Sequence, residues 1–85
     1  MEIKELVTRI VKALVEYPDE VEVSEVKSET TSVIELRVNT GDIGKVIGKQ
    51  GRTAKAIRNI LGSVSAKLNR RFILEILEEQ PLLLN

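Results

Sequence analysis

The sequence of 85 residues contains no cysteine and no histidine, and its only aromatic residues are Tyr17 and Phe72. Without cysteine or histidine, the chain cannot form disulfides, Cys/His zinc sites, a thiol nucleophile or a histidine-based catalytic triad. Two aromatic residues are also too few for the stacking platforms on which many RNA-binding folds hold bases. We therefore predict a protein that is not an enzyme, needs no metal or cofactor, and takes no small-molecule substrate.

Long apolar runs are also missing. None approaches the ~18 residues that a membrane span requires, and the charged start of the chain is unlike a signal peptide. Because a chain without cysteine suits a reducing compartment, we predict a cytoplasmic protein with no membrane contact. Hydrophobic residues make up 42% of the chain and charged residues 31%, which predicts one small folded domain rather than a disordered chain.

The formal net charge is zero, but the charges are unevenly distributed along the chain. Residues 43–71 contain eight lysine and arginine residues and no acidic residue, whereas acidic residues outnumber basic ones on both sides. Such a basic segment is typical of a surface that meets phosphate groups. A basic helix face exposed only to water would give the same count, so the charge alone does not decide between the two.

Apolar spacing predicts the first half of the fold. Ile3 to Leu14 carry an apolar stripe at helical spacing, and Pro18 disfavours continuation of that helix. Alternation then predicts one strand at Val21 and Val23 and another at residues 34–38, joined by a polar hairpin loop at residues 28–31. The alternation slips before Val26, where we expect a bulge or a frayed strand end.

The second half is predicted to contain two helices and a strand. A short apolar helix at residues 43–47 is followed by a longer one ending near Leu68, and residues 72–77 alternate as a third strand. The order α-β-β-α-α-β predicts an α+β domain in which a three-stranded sheet packs against helices.

The tetrapeptide Gly48-Lys49-Gln50-Gly51 separates the two helices inside the basic segment. Two glycines allow a tight turn that a phosphodiester backbone can approach closely. The helix that follows presents its N-terminal N–H groups, which favour anions, and Lys49 and Arg52 add positive charge. A G-x-x-G tetrapeptide by itself remains weak support, because turns between helices often contain glycine.

The whole stretch from Ile43 to Arg58, IGKVIGKQGRTAKAIR, is similar to the signature of the K-homology (KH) domain. The element order resembles the bacterial, type II form of that domain, and the glycine-rich run resembles the small single-KH RNA-binding proteins of the KhpA family. The resemblance implies one KH domain over residues 1–78, followed by a flexible tail over residues 79–85. The role of Leu82–Leu84 in that tail stays open.

The resemblance implies that the G-x-x-G loop clamps the backbone of single-stranded RNA. It assigns RNA binding to residues in and beside the loop: Gly44, Lys45, Val46, Ile47, Gly48, Lys49, Gln50, Gly51, Arg52, Thr53, Lys55 and Arg58. Arg70 and Arg71 either extend this track or stabilise a helix end through its dipole. A post-transcriptional regulator or an RNA chaperone would use such a clamp.

Two other functions remain open: a ribosome-associated maturation factor, and a protein-interaction or dimerisation module with a KH fold. The resemblance implies a homodimer and also a heterodimer with a larger KH-containing protein, KhpB or Jag. The longer helix has one more apolar position than a single stripe requires. We therefore expect dimer contacts among the apolar residues of that helix, Ile57, Ile60, Leu61 and Val64.

Overall fold

The first helix, α1 (Ile3–Leu14), is amphipathic as its spacing predicts. We describe the protein from a computed structural model, which describes residues 2–77. Ile3, Val7 and Val11 form the buried stripe of α1. The chain leaves the helix at Val15, whose backbone is extended, and a single 3-10 turn at Pro18–Glu20 leads into the sheet.

The sheet has three strands in the order β1-β2-β3. Strands β1 (Glu22–Lys27) and β2 (Thr31–Arg37) form an antiparallel hairpin, and β3 (Arg71–Ile76) lies parallel to β2 on its other side. A parallel neighbour requires a crossover connection, which the second and third helices provide.

The bulge or frayed end predicted at Val26 is wrong. Strands β1 and β2 pair in one unbroken register, from Glu22 opposite Arg37 to Lys27 opposite Ser32. Val26 is 55% exposed because it lies on the outer face of the sheet, away from the helices. The apparent slip in the sequence is therefore an apolar residue on the polar face and not a change of register.

The remaining helices are α2 (Ile43–Ile47) and α3 (Arg52–Leu68); α1 packs on β1, α3 packs on β3, and α2 packs against both helices with Val46 in the shared core. This arrangement confirms the predicted α+β fold and its element order. The buried apolar residues of the core come from every helix, from β2 and β3, and from Val38 just after β2: Ile3, Val7, Val11, Ile34, Leu36, Val38, Val46, Ile57, Leu61 and Leu74.

Asp42 holds the start of α2 against the end of α1. Its carboxylate is 1% exposed and accepts hydrogen bonds from the backbone N–H groups of Glu16, at 3.1 Å, and Tyr17, at 3.0 Å. The amino group of Lys45 lies near two carboxylates, with Nζ 3.8 Å from an oxygen of Asp42 and 3.8 Å from an oxygen of Glu16. Because α2 leads directly into the glycine loop, Asp42 fixes where that loop begins.

Arg70 joins the far end of α3 to the β1–β2 hairpin. Its guanidinium donates to the backbone oxygens of Ser28 (2.6 Å), Glu29 (3.0 Å) and Thr31 (3.0 Å) and to Ser32 Oγ (3.0 Å). These four hydrogen bonds from one side chain hold the predicted hairpin loop in place.

No helix within residues 2–77 is long and apolar enough to cross a membrane. The predicted tail at residues 79–85, including Leu82–Leu84, lies outside the described residues.

Candidate nucleic-acid interface

The Gly48–Gly51 loop is one tight turn whose backbone lies largely in the positive-φ region. Gly48 ends α2 with φ +81°, Gln50 adopts φ +57°, and Gly51 adopts φ +74°. The Gly48 N–H donates to Gly44 O at 2.8 Å, and the Gly51 N–H donates to Gly48 O at 3.0 Å. Gly48, with ψ 168°, lies in a region that residues with a β-carbon rarely adopt, whereas Gly51 lies in the left-handed region that Gln50 also adopts and that glycine adopts without strain.

The loop presents positive charge and free backbone donors together. Lys49, Gln50, Arg52 and Lys55 are exposed. Helix α3 begins just after Gly51, which has no side chain to cap the helix, and the first turn of α3 contains no acidic residue. The first N–H groups of a helix need partners from outside it, and the helix dipole makes anions the preferred ones. The loop and the start of α3 therefore form a site suited to phosphate.

A groove of about 600 Å³ runs between this loop and strand β3. Ile47, Gly51, Ala54 and Arg58 line it from the helical side. Strand β3 lines the other side, and Val33 of β2 lies behind it. The groove walls are mostly aliphatic, so bases can lie in it through apolar contact without aromatic stacking.

The free edge of β3 faces this groove. The Arg71 N–H donates to the oxygen of Thr30, just before β2, and the Leu77 N–H donates to Leu36 O in β2, so alternate residues direct their backbone groups toward β2. Leu74 and Ile76 consequently direct theirs to the open edge. Helix α3 covers part of that edge: Arg58 Nη2 donates to Leu74 O at 3.1 Å, and Ser65 Oγ accepts from the Phe72 N–H at 2.9 Å.

The structure separates the predicted RNA-binding residues into two groups. Gly48, Lys49, Gln50, Gly51 and Arg52 form the accessible surface of the loop, with Thr53 half-buried behind it and Lys55 and Arg58 further along α3. Among the other predicted residues, Val46 is buried in the core, and the side chains of Lys45 and Arg70 make polar contacts within the protein.

Val46 is completely buried, so it supports the loop from beneath and its assignment to an RNA surface is corrected. The amino group of Lys45 lies beside Asp42 and Glu16. Arg70 is corrected in the same way, because its guanidinium is occupied by the four hairpin hydrogen bonds described above. Arg71 is exposed and stays a candidate for RNA contact. At the C-terminal end of α3, Arg70 of the basic segment stabilises the hairpin. At the N-terminal end, its basic residues lie beside the groove.

The predicted dimer residues also divide. Ile57 is 3% exposed and Leu61 is 1% exposed, so both belong to the core of the single chain and cannot contact a second copy. Ile60 is 45% exposed, and Val64 is half-buried beside it on the next turn. Of the four, only these two remain available for a dimer contact.

Sequence reasoning missed the wall of the groove that β3 contributes, which includes Ile73, Leu74, Glu75 and Ile76. The alternation of β3 identified its buried face but gave no sign of which edge would remain unpaired. That edge is set by the parallel pairing of β3 with β2, in which the paired residues are forty positions apart in the sequence.

A three-stranded sheet covered on one face by helices, with a G-x-x-G turn between the last two helices, defines a KH domain of the type II order. The family model described as "KhpA/KhpB, KH domain" matches residues 4–76. The chain therefore belongs to the KhpA/KhpB family of KH domains, which is a family of RNA-binding proteins and not of enzymes.

Relatives with similar sequences carry the name RNA-binding protein KhpA. The protein from Borreliella burgdorferi is 50% identical over 87% of this chain and 90% of its own length. Those from Clostridium acetobutylicum and Chlamydia trachomatis are 51% and 52% identical, over 87% and 91% of this chain and 99% of their own lengths. Among solved structures, Era of Aquifex aeolicus bound to GDP and aluminium fluoride superposes with a TM-score of 0.54. The two sequences are 23% identical, and the superposed region covers 89% of this chain and 31% of Era. This similarity supports the fold alone.

Proposed function

We propose that this protein binds single-stranded RNA by clamping its backbone at the Gly48–Gly51 loop and laying its bases along the groove beside β3. The single observation that carries the proposal is the position of the loop. It ends one helix, begins another, and lies at the mouth of an aliphatic groove. RNA binding by relatives that are about half identical supports the same function here.

A single strand suits the groove better than a duplex does. Aliphatic walls attract unstacked bases, whereas the grooves of an RNA duplex present mainly sugars, phosphates and base edges. The cations around the loop would meet three or four phosphates. The logarithm of the affinity should then fall against the logarithm of salt concentration with a slope of about −2 to −3.

The test is fluorescence anisotropy with a short labelled single-stranded RNA at two salt concentrations. A variant carrying Lys49→Asp and Gln50→Asp should lose binding, because it places two carboxylates where phosphate would lie. Its matched control carries Lys27→Asp and Thr30→Asp, which change the net charge equally at exposed positions near the opposite end of α3.

Binding that is lost in the loop variant and kept in the control supports the clamp. Equal binding by both folded variants and the wild type would overturn it. Circular dichroism of each variant establishes that the fold is retained, since all four substituted side chains are exposed.

Within the same proposal, the protein acts in the cytoplasm as a post-transcriptional regulator or RNA chaperone. It pairs either with a second copy or with a larger KH-containing protein of the KhpB type. A protein contact on α3 would use the exposed aliphatic side chain of Ile60 together with the half-buried Val64 on the next turn. A dimer would present two loops to one RNA, which raises the effective affinity of a modest single clamp.

A further inference from the structure

Strand β1 forms the edge of the sheet opposite the proposed RNA groove, and no strand within residues 2–77 pairs with its outer side. The Ser28 N–H, just after β1, donates to Thr31 O at 2.8 Å, so the even-numbered residues of β1 direct their backbone groups toward β2. The odd-numbered residues, Val23, Glu25 and Lys27, therefore direct their N–H and C=O groups away from the sheet. In the described part of the chain, no hydrogen bond reaches these outward groups. An edge with free donors and acceptors of this kind can accept a further strand.

An aliphatic row crosses the outer face of the sheet and ends at this edge. Val26 lies opposite Val33, which in turn lies opposite Ile73. Val26 is 55% exposed and Ile73 is 36% exposed. Strand β1 contains no proline and pairs without a bulge, so it lacks two features that commonly protect an edge strand. An added strand with an aliphatic residue opposite Val26 would cover the exposed end of the row.

The charges beside Val26 indicate which strand fits. Glu25 and Lys27 flank Val26 on the other face of β1 and have opposite sign. Neither has an ion-pair partner within residues 2–77. A second copy of β1 that runs antiparallel, with Val26 opposite Val26, brings Glu25 of each copy opposite Lys27 of the other. Opposite charges in directly facing positions stabilise a pair of strands.

We propose that β1 is a contact between two copies of this chain, which pair edge to edge about a two-fold axis at Val26. The backbone geometry agrees with this register. Glu25 and Lys27 both have outward N–H and C=O groups, so they form hydrogen-bonded pairs across the axis. Val26 then forms the intervening pair without hydrogen bonds, in which side chains are closer. An axis at Glu25 or at Lys27 would instead place like charges opposite each other.

The contact is small, and we expect it to be weak. A single short strand from each copy buries less than the roughly 1,000 Å² of a stable interface, so the dissociation constant should be near about 1 mM. At micromolar concentrations the edge therefore stays open, and self-association through Ile60 of α3 can be measured separately. Copies bound to one RNA strand would reach the effective concentrations at which the edge pairs. That consequence rests on the proposed RNA binding, whereas the contact itself does not.

The experiment measures amide hydrogen exchange by NMR in the Ile60→Lys variant, which removes any contact through α3. Samples at about 0.05 mM and about 2 mM lie on either side of the expected dissociation constant. Exchange of the Glu25 and Lys27 amides should slow by about twofold to threefold in the concentrated sample, because their N–H groups become hydrogen-bonded in the pair. The Val23 amide also points outward but lies outside the paired stretch, so its exchange should not change.

Charge exchange tests the register. Added to the same variant, Lys27→Glu places two glutamates opposite each other, and Glu25→Lys places two lysines opposite each other, so each alone should lose the concentration effect. An equimolar mixture of the two should restore it, because each facing pair then again joins a lysine and a glutamate. The control mixture carries Glu5→Lys in one protein and Lys12→Glu in the other, at exposed positions of α1. Each control protein should keep the effect alone, and mixing should add nothing.

Exchange rates of Glu25 and Lys27 that do not depend on concentration would overturn the contact. Equal slowing at Val23 would overturn the register, as would a mixture of the two charge variants that restores nothing. These samples contain no RNA. Failure of the edge contact is therefore distinct from failure of the RNA clamp, which the anisotropy assay detects.

Discussion

Gly48 lies so close to Thr53 that a β-carbon at position 48 would be 2.6 Å from Thr53 Cβ and 2.7 Å from its backbone nitrogen. A β-carbon at Gly51 would meet nothing within 4 Å. Both glycines have positive φ, so both relieve backbone strain. Only Gly48 is also required for packing, because the start of α3 lies directly against it. The two glycines of the loop are thus needed for different physical reasons.

We expect Gly51→Ala to lower the free energy of unfolding by about 1 kcal/mol, the usual cost of a β-carbon in the left-handed region. Gly48→Ala should cost at least about 3 kcal/mol, because steric overlap adds to that strain. Urea unfolding of the two variants measures the difference. Adding Thr53→Ala to Gly48→Ala should restore only part of the loss, since Cβ and the backbone nitrogen of residue 53 remain. Equal losses for the two single variants would contradict the packing role of Gly48.

Arg70 and Arg71 are adjacent in sequence but should respond differently to substitution. Arg70→Ala removes the donor from Ser28 O, Glu29 O and the buried Ser32 Oγ, whereas Thr31 O keeps its bonds from Ser28, and we expect a cost of about 2–3 kcal/mol. Arg71→Ala removes an exposed side chain and should change stability by no more than about 0.5 kcal/mol. Thermal and urea unfolding of both variants provide the measurement. A stability loss in Arg71→Ala as large as that in Arg70→Ala would show that the hairpin bonds are not the cause.

The pair also marks the limit of what the sequence predicts. Periodicity was sufficient for the elements and their order, because the buried stripes of α1 and α3 and the alternation of β2 are local patterns. It did not separate Arg70 from Arg71, since the partners of Arg70 lie about forty residues earlier in the chain.

The assignment of Val46 to the RNA surface comes from the family resemblance, and the residue spacing of α2 gives no reason to reject it. A helix of five residues is too short for its spacing to define which face is buried. The wall that β3 contributes to the groove depends on which edge of β3 stays unpaired. Each of these features is set by contacts between distant segments, which residue spacing does not encode.

Asp42, which ends a 3-10 turn just before α2, should be sensitive to substitution. Asp42→Asn replaces two acceptor oxygens with one, so one of the backbone N–H groups of Glu16 and Tyr17 loses its partner in a buried site. The substitution also removes the charge that Lys45 approaches. We expect a loss of about 1–3 kcal/mol in the free energy of unfolding. Asp19→Asn, at an exposed position in the neighbouring turn, is the control and should be nearly neutral. The same loss in both variants would contradict a specific role for the Asp42 hydrogen bonds.

Adjacent residues on α3 provide the sharpest test of self-association. Ile60 is 45% exposed and Leu61 is 1% exposed, so a charge at one reaches solvent and at the other enters the core. Ile60→Lys should leave the helical circular dichroism intact and shift the protein to monomer, because a lysine in an apolar contact between copies is not compensated. Leu61→Lys should unfold the chain.

Sedimentation velocity over a concentration series separates the outcomes. The sedimentation coefficient of the wild type should change with concentration, and that of folded Ile60→Lys should not. A wild type that stays monomeric at high micromolar concentration would contradict the homodimer. Concentration dependence retained by Ile60→Lys would instead place the contact on another face. Lysine is chosen so that self-association and RNA binding can be tested separately, because an added positive charge on α3 does not repel RNA. A loss of RNA affinity in Ile60→Lys therefore reflects the loss of the second loop that a dimer would present.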